Sequence, residues 1–279
     1  MISLKQLFQS NSEKLQFIYP KQEAESLILW LLEDTLGINR QDLLLDKTIH
    51  EVPDILYSHI KSLLEKKPIQ YILGIAPFYG RSFEVNENVL IPRNETEELV
   101  HLIIQENKQL NLRILDIGTG SGCIPISLKL EIPSSKLFAI DVSPEALLIA
   151  KRNAEALEAS VEFLKVDILN EEIHLNNLDI IVSNPPYVLD SEKSIMHENV
   201  LNHEPHLALF VDDDDPLIFY RNIAQKATSS LKKGGKLYFE INEAYGEDVV
   251  NLLEEMGYTE VILRRDLNDK NRMVSAALT

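Results

Sequence analysis

A chain of 279 residues with 45% apolar and 7% aromatic side chains holds enough material for a packed core, too much for one minimal domain, and gives no compositional case for disorder. Its formal charge of −17 opposes attraction to phosphate backbones, so nucleic acid is not the expected partner and a basic surface fits better. Its single cysteine, Cys123, reads as a small buried residue and excludes an intramolecular disulfide; no apolar run approaches the ~18 residues that span a bilayer.

From its amino terminus the chain reads as helical. Ala24, Leu27, Ile28, Leu31 and Leu32 fall at three- and four-residue spacing, and Gly37 stands where a helix would stop. Val52, Ile55, Leu56, Ile60 and Leu63 repeat the stripe after Pro53, a residue tolerated in a first helical turn. Trp30 lies in the first stripe and reads as core. Residues 68–92 break the helical period with Pro, Gly and alternating apolar positions, the pattern of short strands and turns in a linker. The start MISLKQLFQS lacks an apolar h-region and a cleavage site, so cytoplasmic residence without membrane association is expected.

Beyond the linker, strand-like runs at 113–117, 136–140, 161–166, 178–183 and 236–241 alternate with helix-like stretches, which predicts a parallel sheet covered on both faces. Runs at 259–263 and 272–278 lie too close for a helical crossover and predict an antiparallel pair at one edge. The acidic run at 212–215 reads as a solvated turn.

The first of these strands, RILDI, feeds Gly118, Thr119, Gly120, Ser121 and Gly122, and then an apolar helix. Glycines suit a loop whose backbone must approach a ligand. A dinucleotide fingerprint would need its third glycine at Cys123, and no Gly-Lys-Ser/Thr follows, so both phosphate-binding alternatives are disfavoured. The second strand ends in Asp141, nineteen residues past Gly122, where a carboxylate can accept both hydroxyls of an adenosine ribose. Asp141 also has a structural reading, as helix cap before Ser143, Pro144 and Glu145. The third strand ends at Asp167 and Ile168, where an adenine would lie beside the strand ends. Over residues 90–279 this arrangement resembles the class I S-adenosylmethionine-dependent methyltransferases. The resemblance implies an α/β, Rossmann-like, seven-stranded and mostly parallel sheet, with S-adenosyl-L-methionine seated on the glycine loop.

The fourth strand runs into Asn184, Pro185, Pro186 and Tyr187. The prolines fix φ, so the Asn184 side-chain oxygen and the Pro185 backbone carbonyl can act as two fixed acceptors for a planar NH2 group, with Tyr187 as a stacking face. Acceptors on both N–H bonds free the nitrogen lone pair from conjugation and stabilise the positive charge that develops there, so no strong base is needed. Asn184 is therefore expected at both substrate and cofactor. The tetrapeptide limits the acceptor to an adenine, cytosine or glutamine nitrogen without choosing among them.

Further segments carry a narrower resemblance: Pro68-Ile69-Gln70-Tyr71-Ile72-Leu73-Gly74, Phe78-Tyr79-Gly80, Ile91-Pro92-Arg93-Asn94-Glu95-Thr96-Glu97, Glu204-Pro205, Ala208-Leu209, and Asp269 with Arg272. Across nearly the whole chain these resemble the release-factor glutamine methyltransferases. The resemblance implies a helical recognition domain at 1–75, a β-hairpin linker at 76–92 and a catalytic domain at 93–279. It also implies peptide-chain release factors as substrate, the glutamine of their Gly-Gly-Gln loop as acceptor, and a monomeric enzyme. Arg93, Glu95 and Glu204 are expected at the substrate pocket, with no metal, although His197, His203 and His206 cluster in sequence. The chain departs from the family pattern at Asn94, His203 and Asn242, where Pro, Tyr and Gly are usual, and none of these is expected to touch the tetrapeptide. Two rivals stand beside this reading: a nucleic-acid adenine methyltransferase, which should carry a basic recognition region, and a non-catalytic binding module that keeps the fold.

Overall fold

Side chains alternate across the pleat of a strand, so a strand buried on both faces must be apolar at every position. The strands Arg113–Ile117 (β1), Lys136–Asp141 (β2), Val161–Lys165 (β3), Leu178–Ser183 (β4), Leu231–Glu240 (β5), Tyr258–Arg265 (β6) and Asn271–Leu278 (β7) form one sheet in the order β6-β7-β5-β4-β1-β2-β3. β7 runs antiparallel to both β5 and β6, and every other pair in the sheet is parallel. This computed structural model describes all 279 residues. It divides into two compact units, Met1–Ile75 with His197–His203, and Ala76–Met196 with Glu204–Thr279.

The alternation sorts the second unit into two cores. Leu115, Ile117, Ile181, Leu237 and Phe239 pack on one face with Ile223 and Ala224 of helix Ile218–Ser230. Ile114, Ile180, Val182 and Tyr238 pack on the other with helices Asn94–Glu106 (α1) and Cys123–Glu131 (α2). Asp116 and Glu240 fall on this second face by the same parity, so two carboxylates project into an apolar layer near the carboxyl ends of β1 and β5. The chain leaves β1 for β2 and β3, then returns across β1 to β4 and β5, which opens a crevice outside the strand ends at that reversal.

Strand β5 is longer than the run at 236–241. It begins at Leu231, and its register against β4 shifts between Leu231 and Lys236, where Gly234 takes φ +75°. A hairpin of Ile75–Phe78 and Arg81–Glu84 turns on Tyr79 and Gly80, both at positive φ, and Phe78 meets Phe83 edge to face at 5.9 Å in the second core.

The first unit packs Leu15, Ile28, Leu31, Leu32, Leu56 and Leu63 between helices Leu4–Leu15, Lys21–Leu36 and Asp54–Leu64. Gly37 closes the second helix at φ +63°, and Trp30 is partly buried against this core. Pro53 sits at the N-cap rather than inside the first turn, and Ile55 leaves the stripe to lie 52% exposed. His197–His203 joins this unit, with Glu198 paired to Lys66 at 2.5 Å.

Gly122 is where backbone and packing both require glycine. It begins α2 at φ +80°, and a Cβ there would lie 3.0 Å from Ile126 and 3.1 Å from Ala150. Gly122→Ala is expected to destabilise the protein by about 2 kcal/mol through strain and overpacking. Chemical denaturation checks this, and an unchanged midpoint would contradict it.

Candidate active site

A cavity of about 310 Å³ opens at the sheet reversal, over the carboxyl ends of β1 to β4. Gly118 and Gly120 form its floor; Asp141, Asp167 and Ile168 stand along one side, and Asn184, Pro185 and Pro186 along another. Val89 and Leu90, Pro205 and Ala208, and Phe219 of the helix Ile218–Ser230 complete the wall. The remaining residues expected at the site lie behind this surface. Thr119 and Ser121 are buried, Gly122 packs on the helix Pro144–Ala156 (α3), and Tyr187, Arg93, Glu95 and Glu204 do not line the cavity.

Asp141 ends β2 with both carboxylate oxygens in use. One accepts the Gly120 amide at 2.8 Å and the other the Ser143 amide at 2.9 Å, which leaves further lone-pair sites. Helix α3 is capped by Ser143 instead, whose hydroxyl accepts the Ala146 amide. Burial raises the Asp141 carboxyl above its ordinary range, opposed by these amides. Asp167 is held below its ordinary range, first by Asn170, with the Leu169 amide assisting. Asn153, buried on α3, donates to the Ser121 and Glu84 carbonyls and accepts the Glu84 amide, so one side chain ties the glycine loop to the hairpin.

The first turn of α1 explains the motif around Arg93. Arg93 donates to Glu204 at 2.6 Å, not to Glu95, and the other oxygen of this buried carboxylate accepts the Ile91 amide. Thr96 donates to Glu240 at 2.7 Å, and Glu97 accepts the Tyr79 amide at 2.7 Å. Asn94 is exposed at the start of the helix.

Behind the tetrapeptide lies a polar chain that the sequence did not announce. The Asn184 amide nitrogen donates to Thr96 Oγ1 at 3.1 Å, and Tyr187 donates its hydroxyl to Glu240 at 3.1 Å. Glu240 is 1% exposed; burial raises its carboxyl, while Thr96, Tyr187 and Arg272 act in the opposite direction. Burial first, then Glu240, raises the Tyr187 phenol, keeping it a donor. The available signal was Glu240 itself, a carboxylate closing the buried run LYFE.

Asn242 corrects an expectation. Its amide donates to the Tyr187 carbonyl at 3.1 Å and to Glu192 at 3.3 Å, so this departure from the family pattern does touch the tetrapeptide. A glycine at that position would leave the Tyr187 carbonyl without this donor. His203 meets the Glu65 carbonyl at 3.4 Å.

The residues present suit S-adenosylmethionine. A Cβ at Gly118 or Gly120 would meet nothing within 4 Å, so the floor is open to a ligand, and carboxylates stand where hydroxyl or cationic groups can use them. Asp116 lies fully buried beneath the loop, with neither oxygen in full hydrogen-bond geometry and Thr119 as its nearest polar support. Burial pushes it up to about 7.

Fold and glycine loop together define a class I methyltransferase, whose methyl donor is S-adenosylmethionine. The family described as "Methyltransferase small domain" matches residues 96–208. A solved methyltransferase from Pyrococcus furiosus superposes with a TM-score of 0.52 at 17% identity, covering 79% of this chain and 98% of that one. The release factor glutamine methyltransferase of Flavobacterium psychrophilum is 46% identical over 94% of both chains. That of Bacteroides thetaiotaomicron is 47% identical over 95% of this chain and 96% of its own. The chain belongs to the family of release factor glutamine methyltransferases.

The buried Asp116 sets a pH dependence. Its folded pKa lies above the unfolded value of about 3.9, so the folded state binds the extra proton and stability falls as pH rises from about 4 to 7. Asp116→Asn should remove that slope, read as melting temperature against pH without cofactor. Parallel curves for the two proteins would contradict it.

Proposed function

We propose that this enzyme transfers a methyl group from S-adenosylmethionine to the side-chain amide nitrogen of the glutamine in the Gly-Gly-Gln loop of peptide-chain release factors. The observation that carries this reading is Asn184 at the cavity wall, with its amide nitrogen bound to Thr96 and its oxygen therefore left for a substrate N–H. When bound, S-adenosylmethionine supplies an electrophilic methyl group on a cationic sulfur. In this reading the backbone from Gly118 to Gly122, through Thr119, Gly120 and Ser121, carries the methionine part. Asp141 accepts the ribose hydroxyls, and Asp167 with Ile168 borders the adenine.

Asn184 Oδ1 and the Pro185 carbonyl accept the two N–H bonds of the glutamine amide, so its lone pair points along the line of displacement and the charge developing on nitrogen is stabilised. Pro186 fixes the carbonyl, and Tyr187, its hydroxyl on Glu240, holds the end of the tetrapeptide in place. Arg93 and Glu204 brace the pocket edge, joined by Glu95. Residues 1–75 act as a recognition domain for the release factor, 76–92 as a hairpin linker and 93–279 as the catalytic domain. The enzyme works as a cytoplasmic monomer, without nucleic acid. The charge of −17 supports a protein partner over the adenine alternative.

The test is to incubate the enzyme with methyl-labelled cofactor and either release factor or DNA, and to locate the label. Label on the release-factor glutamine is expected; label on adenine, or no transfer, would contradict the reading. Asp141→Ala should weaken cofactor binding by about 1.5–3 kcal/mol through the lost charged hydrogen bonds, and unchanged calorimetric affinity would remove Asp141 from the site. Asn184→Ala should bind cofactor yet slow single-turnover transfer by about two to three powers of ten. A wild-type rate would take the role from Asn184.

A further inference from the structure

Glu240 accepts two hydrogen bonds, from Thr96 at Oε2 and from Tyr187 at Oε1. A carboxylate can only accept, and a threonine hydroxyl carries one hydrogen. Because that hydrogen goes to Glu240 at 2.7 Å, Thr96 Oγ1 can only accept from its other neighbour, 3.1 Å away. The Asn184 atom there must be the nitrogen, and the amide oxygen must face the other way. Direction is thus passed from residue to residue, beginning at a group buried behind the cavity wall.

We propose that Glu240 and Thr96 are positioning residues that fix the amide of Asn184 oxygen-outward, so that the site reads an N–H donor. This inference rests on the proposed role of Asn184 as an acceptor for the substrate nitrogen. Neither residue lines the cavity, so each acts through Asn184. Three elements distant in sequence supply the chain: the first turn of α1, the loop after β4 and the end of β5. Arg272, held by Asp266 at 3.0 Å and directed at the Ile241 carbonyl, adds positive charge near Glu240 and favours its acceptor form.

Reversing the polarity at Glu240 should therefore reverse the amide. In Glu240→Gln the new oxygen satisfies the Tyr187 hydroxyl and the new NH2 group donates to Thr96. The Thr96 hydrogen then turns to position 184 and draws the Asn184 oxygen inward. In Asn184→Asp the requirement is opposite, since two carboxylates compete for the one Thr96 hydrogen, and Glu240→Gln relieves that conflict.

The experiment is single-turnover transfer to release factor at saturating cofactor, with cofactor affinity measured in parallel. Glu240→Gln should slow the wild-type background about tenfold or more through misorientation and accelerate the Asn184→Asp background, with cofactor affinity unchanged in both. The same factor and sign in both backgrounds would overturn the inference. Should Glu240→Gln fail to fold, Thr96→Val serves instead: about a tenfold loss beside Asn184, none beside Asn184→Ala, and recovery in Thr96→Ser. Equal losses with alanine or asparagine at 184 would overturn it. Asn184→Ala alone separates the two levels: if it is slow while Thr96→Val and Glu240→Gln beside the native Asn184 keep the wild-type rate, only this inference is rejected, whereas a wild-type rate in Asn184→Ala rejects the acceptor role and this inference together.

Discussion

A carboxylate taken out of water must be met by donors or positive charge, or it takes up a proton. Glu240 is such a group, closing a central strand with its side chain directed into an apolar layer. Thr96 and Tyr187 satisfy it, and each belongs to a segment that the site needs in place. Thr96 brings the first turn of α1, which also carries Arg93 to Glu204 and Glu97 to the hairpin turn. Tyr187 brings the end of the tetrapeptide, whose backbone carbonyl Asn242 then holds. Hydrogen bonds to a charged group are worth about 1.5–3 kcal/mol each, so this anchor can order loops that would otherwise lose entropy for little return.

The sheet order separates two tasks. On the β1, β2 and β3 side, the glycine loop and Asp141 are locked together by backbone amides, which gives a rigid floor before any ligand arrives. On the β4 and β5 side, the polar chain from Glu240 sets which atom of Asn184 faces the cavity. Asp116 and Glu240 share one sheet face because both stand on the same parity of the pleat. Burial raises both carboxyls, Asp116 up to about 7, but Glu240 has two donors acting against that rise while Asp116 has Thr119 alone.

Much of this was legible in the sequence because it is local. The β1 and β4 runs coincide with observed strands, and the others differ at their ends, where pairing rather than hydrophobicity decides. Only β5 is much longer, beginning at Leu231 and extended through a register shift between Leu231 and Lys236. The cavity's contact with Gly118, Gly120, Asp141, Asp167 and Asn184 follows from their common place at strand ends. What was not legible depends on partners far apart in sequence. Arg93 finds Glu204 rather than the nearby Glu95, and Thr96 finds Glu240, because the fold brings them together. Asn242, one strand away from Tyr187 in space, gave no sign of contact in its sequence position. Periodicity reports which face a residue occupies, and says nothing of what it meets there.

Recognition of a substrate N–H depends on the direction in which Asn184 presents its amide. A crystal structure with S-adenosylhomocysteine and a Gly-Gly-Gln peptide measures it, with the hydrogen-bond network assigning oxygen and nitrogen. The glutamine amide nitrogen is expected about 3 Å from Asn184 Oδ1, with Asn184 Nδ2 still on Thr96. A glutamine nitrogen bound elsewhere, or an Asn184 amide turned with its nitrogen toward the substrate, would contradict it.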